Sequence, residues 1–334
     1  MPSWHAVFSE ITAEASKGNP NAHNGVRQKY LKKLFAKTNR NIIAYYSGWL
    51  SKPGNQLAGI NDEDMNGFMT AVNGVDRTKG LDLFLHTPGG SIASTESIVN
   101  YLHLMFNKDM RVIVPQVAMS AGTMMACSSR EIILGKQSSL GPIDPQIRDL
   151  AAQGVLNEFK KALEEIKNDA EAIQVWRWII QQYHPTFLGQ CQQAIDWTKK
   201  FVGDKLQEVM FEGDVDAAQK AKKIVDGLSD ADIHKSHERH IPFAQCKDLG
   251  LKVIALEDDQ ELQDLVLTIH HCYMFMLMNT PAFKVIENHE TSAFVKFQQM
   301  PQQIQLPIPL QLQQQQLQQQ PQQQLVKQPP QKPE

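Results

Sequence analysis

Hydrophobic positions along this chain recur with two periods, and each change of period marks an element. Residues 4–15 place Val7, Phe8 and Ile11 at helical spacing and residues 26–35 repeat the pattern, so both segments predict helices. Residues 41–46, NIIAYY, are rich in β-branched and aromatic side chains and predict a strand, followed by Ser47-Gly48-Trp49-Leu50. A helix over 62–72, with Asn61 or Asp62 placed to cap it, leads to Leu83-Phe84-Leu85, a second strand that Pro88 stops. Then come a helix over 94–106, the strand Arg111-Val112-Ile113-Val114, a short apolar helix carrying Thr123 to Ala126, and a strand over 131–134. Strands alternating with helices predict an α/β fold with a mainly parallel sheet, whose chemistry lies at the carboxyl ends of the strands.

From about residue 155 to 224 the pattern turns helical and charged, with Trp176, Trp178, Ile179 and Ile180 as expected core material. A helical stretch over 243–249, a last short strand over 250–254 and one long helix over 257–278 follow. Near Gln298 the composition shifts abruptly to Gln and Pro, which cannot bury enough apolar surface to offset chain entropy. The predicted organisation is therefore N-terminal helices over 1–40, an α/β domain over 41–297 with a helical insert over about 155–225, and a disordered tail over 298–334. The tail reads as an inert extension, although glutamine hydrogen bonding gives such tracts a route to self-association.

Composition narrows the function. A chain of 334 residues, 42% hydrophobic, buries one large core, and a net charge of −3 gives no electrostatic case for nucleic acid. The basic positions of the second helix, Arg27, Lys29, Lys32 and Lys33, read as a solvated face. Cys127, Cys191, Cys246 and Cys272 are widely spaced, form no CxxC pair and predict reduced, mostly buried thiols in a cytoplasmic setting. The first residues lack a basic start followed by an apolar core, and no apolar run approaches the roughly twenty residues that cross a bilayer. The expectation is a soluble protein with no signal peptide and no membrane span.

Two turns carry candidate chemistry. In Val112 to Ala126, VIVPQVAMSAGTMMA, Ser120 stands where a strand ends and a helix begins, which displays its hydroxyl beside unpaired backbone N–H groups. A lone serine there reads as a helix N-cap. A second turn, Thr87-Pro88-Gly89-Gly90, has the same strand-to-helix setting, and paired glycines let the backbone come close to a ligand. The setting of Ser120 suits a nucleophile, since the N–H groups beside it and the positive end of the helix can hold an oxyanion.

This pair of turns resembles the Clp protease/crotonase superfamily, in which a Gly-Gly turn supplies one oxyanion donor and a Ser-X-Gly turn about thirty residues later carries the nucleophile. The resemblance implies that Gly89 and Gly90, with Ala121 and Gly122, form that oxyanion site. Ser138 to Gln146, SSLGPIDPQ, resembles the following segment of the signal-peptide-peptidase and membrane-protease branches. From Trp4 to about Lys296 the order RQKYLKKL, NIIAYYSGWL, TPGG, MSAGTMMA, GPIDPQ, KSHERHI and LEDDQELQDLVLTIHH resembles the serine dehydrogenase proteinase family. The resemblance implies repeated ββα units, a helical insert used for substrate access and subunit contacts, and assembly into a homo-oligomeric ring or stack. It implies a Clp-class serine endopeptidase that acts on peptide or protein substrates with no cofactor.

The general base stays open at this level. A serine hydroxyl needs a histidine, or a lysine held neutral by burial, to take its proton. The Clp histidine falls in a segment that here reads Gly141-Pro142-Ile143-Asp144. Lys160 and Lys161 have the spacing of the signal-peptide-peptidase lysine but lie in a segment that reads as an exposed helix face, and local alignment puts Gln153 in the lysine's place. The turn His234-Lys235-Ser236-His237-Glu238-Arg239-His240 offers His237 instead, with Asp144 to orient it. His270-His271-Cys272 carries metal-ligand residue types, but neighbours on a helix point apart, so no metal is expected. The alternative to a peptidase is a crotonase-like acyl-CoA enzyme or an oligomeric scaffold without a base. Against the CoA reading, no basic cluster suits a nucleotide phosphate.

Overall fold

A computed structural model describes residues 2–298 apart from Pro20, Asp149 and 231–235; the predicted tail beyond Gln298 lies outside the described residues. Its centre is a seven-stranded sheet. Five strands are parallel: β1 (Asn41–Ser47), β2 (Leu81–His86), β3 (Met110–Val114), β5 (Ile132–Leu134) and β10 (Val253–Ala255). Two more complete it: β11 (Ala282–Asn288) pairs antiparallel with β1, and β12 (Ala293–Phe297) antiparallel with β11, giving the order β10-β5-β3-β2-β1-β11-β12. Val253–Ala255 is thus not the last strand. The long helix after it, Gln260–Asn279, returns the chain to the opposite side of β1, where a hairpin completes the sheet.

The period-two pattern sorts side chains onto the two faces. Ile43, Tyr45, Leu83, Leu85, Val112 and Val114 face one core with the helices Asp64–Val72, Ile92–Phe106 and Ala121–Cys127. Ile42, Ala44, Tyr46, Phe84 and Ile113 face the other, with the helices Ala22–Thr38 and Gln260–Asn279. Both faces are covered, which is why these strands read as nearly continuous apolar runs.

Arg27 corrects one expectation. It is buried rather than solvated, and its guanidinium pairs with the buried carboxylate of Glu287 on β11. The second helix is therefore locked to the sheet by a charge pair that the basic pattern hid.

Short strands carry the chain from the main sheet into a second one. β3 is followed by β4 (Val117–Ala118) and β5 by β6 (Ser139–Leu140), so a strand pair precedes the next helical stretch, and β9 (Ile241–Pro242) completes the order β4-β6-β9. A small hairpin of β7 (Gln146–Ile147) and β8 (Leu150–Ala151) opens the helical insert. Ala152–Asn168, Ile173–Ile180, Phe187–Lys205 and Ala217–Ser229 are its main helices. Trp176 is buried there, but Trp178 is 72% exposed, and Ile179 and Ile180 are also exposed. The expected core run instead presents an apolar face outward.

Candidate active site

Backbone pairing brings the two glycine-containing turns together. Thr87, at the end of β2, pairs with Ala118: the Thr87 N–H donates to the Val117 carbonyl (3.3 Å) and the Met119 N–H to the Thr87 carbonyl (3.0 Å). Gly89 then lies against Ser120. A methyl group on Gly89 would sit 2.7 Å from the Met119 carbonyl oxygen and 2.8 Å from Ser120 Cβ, and its φ of +97° is a conformation that favours glycine. A methyl on Gly122 would lie 2.5 Å from Thr87 Cγ2, so small residues on both sides permit the close approach.

Ser120 has φ 52° and ψ −115°, a backbone conformation that costs a non-glycine residue about 1–3 kcal/mol. It precedes the helix Ala121–Cys127 without capping it, so the N-cap reading fails. The residue is half-buried, and its hydroxyl makes no hydrogen bond among the described residues. Such strain at a strand-to-helix turn is the geometry that displays a nucleophile.

Two amides border the serine without an acceptor among the described residues. One is that of Ala121, the first helical residue, whose N–H has no intrahelical partner. The other belongs to Gly90. The Ile60 N–H donates to the Gly89 carbonyl (2.7 Å), and because the peptide is trans and planar, the Gly90 N–H of the same peptide unit points away from Ile60.

The small sheet supplies the rest. β4 and β6 are parallel and β9 is antiparallel, with Ala118 opposite Leu140 and Leu140 opposite Ile241. Consequently Met119-Ser120, Gly141 to Asp144, and His237 to His240 all leave this sheet at one end. Thr123 ties the first two together, its hydroxyl accepting from the Gly141 N–H (2.9 Å) and lying 3.0 Å from the Ala118 carbonyl. His237 Nδ1 is 2.8 Å from Oδ1 of the buried Asp144, whose Oδ2 accepts from the Gln146 amide (3.0 Å). His240 Nδ1 lies 2.6 Å from Ser139 Oγ.

A cleft of about 450 Å³ opens over this end, lined by Trp49, Leu50, Pro88, Val117 and Met119 and by His237, Glu238 and His240. Gly89 thus packs on Ser120, His237 pairs with Asp144, and the segments carrying Ser120, Asp144 and His237 leave the small sheet at the same end. Lys161 is not among them. It lies on the outer face of the helix Ala152–Asn168, 60% exposed, between Glu158 and Glu165 at 3.9 Å each, without the burial a neutral lysine needs. Lys160 is exposed on the same helix, and Gln153 lines a small cavity with Asp144. His234 and Lys235 lie outside the described residues.

Several groups around the site were not expected from the sequence. Trp49 and Leu50 line the cleft because they follow the carboxyl end of a parallel strand, a position that was legible once β1 was placed. Ile60, which orients the Gly-Gly turn, carries no local signal. His270 contacts the Tyr46 hydroxyl at 3.3 Å and Cys272 is buried in the helix packing. Among the described residues no group of three or more His, Cys, Asp or Glu side chains is arranged to hold a metal ion, and no helix is long and apolar enough to cross a membrane.

Comparison with known proteins agrees with this architecture. A family model described as ClpP-like SDH-type serine proteinase matches residues 21–287. Two uncharacterized proteins of Methanocaldococcus jannaschii are similar: one is 27% identical over 214 residues, 64% of this chain and 65% of the relative. The other is 28% identical over 195 residues, 58% of this chain and 59% of the relative. The chain thus spans less than two thirds of the length of either relative. No solved structure matches it. With most of its length matched by the family model and its two turns folded against one another, the chain belongs to the ClpP-like SDH-type serine proteinases.

Proposed function

We propose that this protein is a serine endopeptidase in which Ser120 is the nucleophile, His237 the general base and Asp144 the residue that orients it. The observation that carries the reading is the Asp144–His237 pair, which borders the same cleft as the strained Ser120 turn. With its Nδ1 proton donated to Asp144, His237 keeps the Nε2 lone pair for the serine proton. Oγ attacks the peptide carbonyl, the proton passes to Nε2, and the oxyanion is held by the Gly90 and Ala121 N–H groups. The imidazolium then protonates the leaving amine, and the acyl ester is hydrolysed by water that His237 deprotonates in turn. Each step uses side chains and amides of this chain, and the balance of protons closes without a cofactor.

Lys161 has no role in this reading. The apolar lining from Trp49, Leu50, Val117 and Met119 suits a peptide substrate presenting an apolar side chain, and among the described residues the cleft has no cluster of cations for a nucleotide phosphate. Assembly into a homo-oligomer is part of the proposal. It is supported by the outward apolar face of Val175, Trp178 and Ile179 on the insert. The test is hydrolysis of unfolded casein by the purified protein and by Ser120→Ala, with bound coenzyme A measured in parallel. Hydrolysis lost in Ser120→Ala supports the proposal; an inactive wild-type protein that binds coenzyme A would replace it.

A further inference from the structure

A buried ion pair stands against the segment that holds the Gly-Gly turn. Lys284 on β11 and Asp64, the first residue of the helix Asp64–Val72, are both 0% exposed. Lys284 Nζ donates to both Asp64 oxygens (2.8 and 2.9 Å) and to the Gly59 carbonyl (2.7 Å). Asp64 Oδ2 also accepts from the Tyr45 hydroxyl (2.8 Å) and from the Asn61 N–H (3.1 Å). Two of these bonds reach the strap 59–61, one at the Gly59 carbonyl and one at the Asn61 N–H.

That strap holds the turn. Ile60 pairs with Gly90, its N–H donating to the Gly89 carbonyl (2.7 Å) and its carbonyl accepting from the Ser91 N–H (2.9 Å). The fit is tight enough that a methyl on Gly90 would fall 2.3 Å from the Ile60 nitrogen. A planar peptide turns as a unit, so fixing the Gly89 carbonyl fixes where the Gly90 N–H points. A buried ion pair rarely gains stability over an apolar pair of the same volume, because desolvating two charges offsets their attraction. What this one supplies is direction, since it fixes the carbonyl of Gly59 and the amide of Asn61 on either side of Ile60.

We infer that Lys284 and Asp64 are positioning residues for the oxyanion-binding amide of Gly90, acting through the 59–61 strap. The inference rests on the peptidase reading above and adds to it a part of the molecule remote from the nucleophile. Neither residue touches the substrate, so their loss changes how well the transition state is held rather than how well substrate binds.

The test compares the wild-type protein with Lys284→Met/Asp64→Asn, which removes both charges together and keeps an acceptor for Tyr45 and Asn61. Tyr45→Phe, isosteric and lacking one bond to Asp64, serves as a second, milder variant. The readouts are kcat and KM on a peptide ester, and the infrared carbonyl stretch of the acyl-enzyme. The expected result is a kcat lower by about tenfold to a hundredfold in the double variant, with KM within about twofold. The acyl carbonyl stretch moves to higher wavenumber as its hydrogen bond weakens, and Tyr45→Phe shifts both in the same direction by less. Unchanged kcat and carbonyl stretch in a folded double variant, or in Tyr45→Phe if the double variant does not fold, would overturn the inference and leave the peptidase reading intact. A wild-type protein that forms no acyl-enzyme on Ser120 would remove the peptidase reading and this inference with it.

Discussion

At the residue scale, Ser120 and Asp144 both hold positions that oppose their own preferences. Ser120 holds a backbone conformation that glycine occupies at less cost. Ser120→Gly is therefore expected to be more stable than Ser120→Ala by about 1 kcal/mol in denaturant unfolding, although both lack the hydroxyl. Equal stability of the two would mean that the turn carries no strain. Asp144 is buried with one oxygen on His237 and the other on Gln146, so it sets which imidazole nitrogen carries the proton. Asp144→Asn leaves the shape and misplaces that proton, and kcat on casein peptides is expected to fall by about a thousandfold or more. KM and the thermal midpoint should stay close to wild type. A loss of only twofold would show that His237 works without an orienting carboxylate.

At the scale of elements, the helix Ala22–Thr38 is tied to β11 by the buried Arg27–Glu287 pair. Glu287→Ala leaves the guanidinium buried without its charge partner and is expected to cost roughly 3–5 kcal/mol, read from urea unfolding. A cost near that of an exposed pair would mean that water reaches Arg27. This contact also shows what was legible in the sequence. The central strands and the two turns were, because a strand covered on both faces is a dense apolar run and paired glycines stand out. β11 and β12 were not: AFKVIEN carries Lys284 and Glu287 inside a buried strand, and those charges mask a core position until their partners Asp64 and Arg27 are known. The exposed run at Trp178 failed for the converse reason, since apolar periodicity marks an apolar face without saying what covers it. Ser120 and the glycines were legible through local turn chemistry, whereas Asp144 and His237, 93 residues apart, were only one of several options for the base, and their contact forms through the β4-β6-β9 pairing.

At the scale of the whole molecule, two buried histidines make folding sensitive to acid. Burial pushes the imidazoles of His86 and His103 down to about 4. In the unfolded chain they titrate near 6.5, so below that pH the unfolded state binds the protons first. The stability they contribute is complete above about pH 6.5 and is lost as pH falls from there toward 4. Thermal midpoints should decline across this window, and His103→Gln should make the decline shallower; a flat profile would contradict the burial of both rings.

By joining β2 to β4 and β6 to β9, the fold brings the strained Ser120 turn and the Asp-paired His237 to the same end of the small sheet. The most direct measurement is the rate at which a fluorophosphonate probe modifies Ser120, identified by mass spectrometry, in the wild-type protein and in folded His237→Ala. The account predicts modification of Ser120 in the wild type and a rate lower by about a hundredfold or more without the imidazole. Equal labelling of the two proteins would contradict it, because the serine would then draw its activation from some group other than His237.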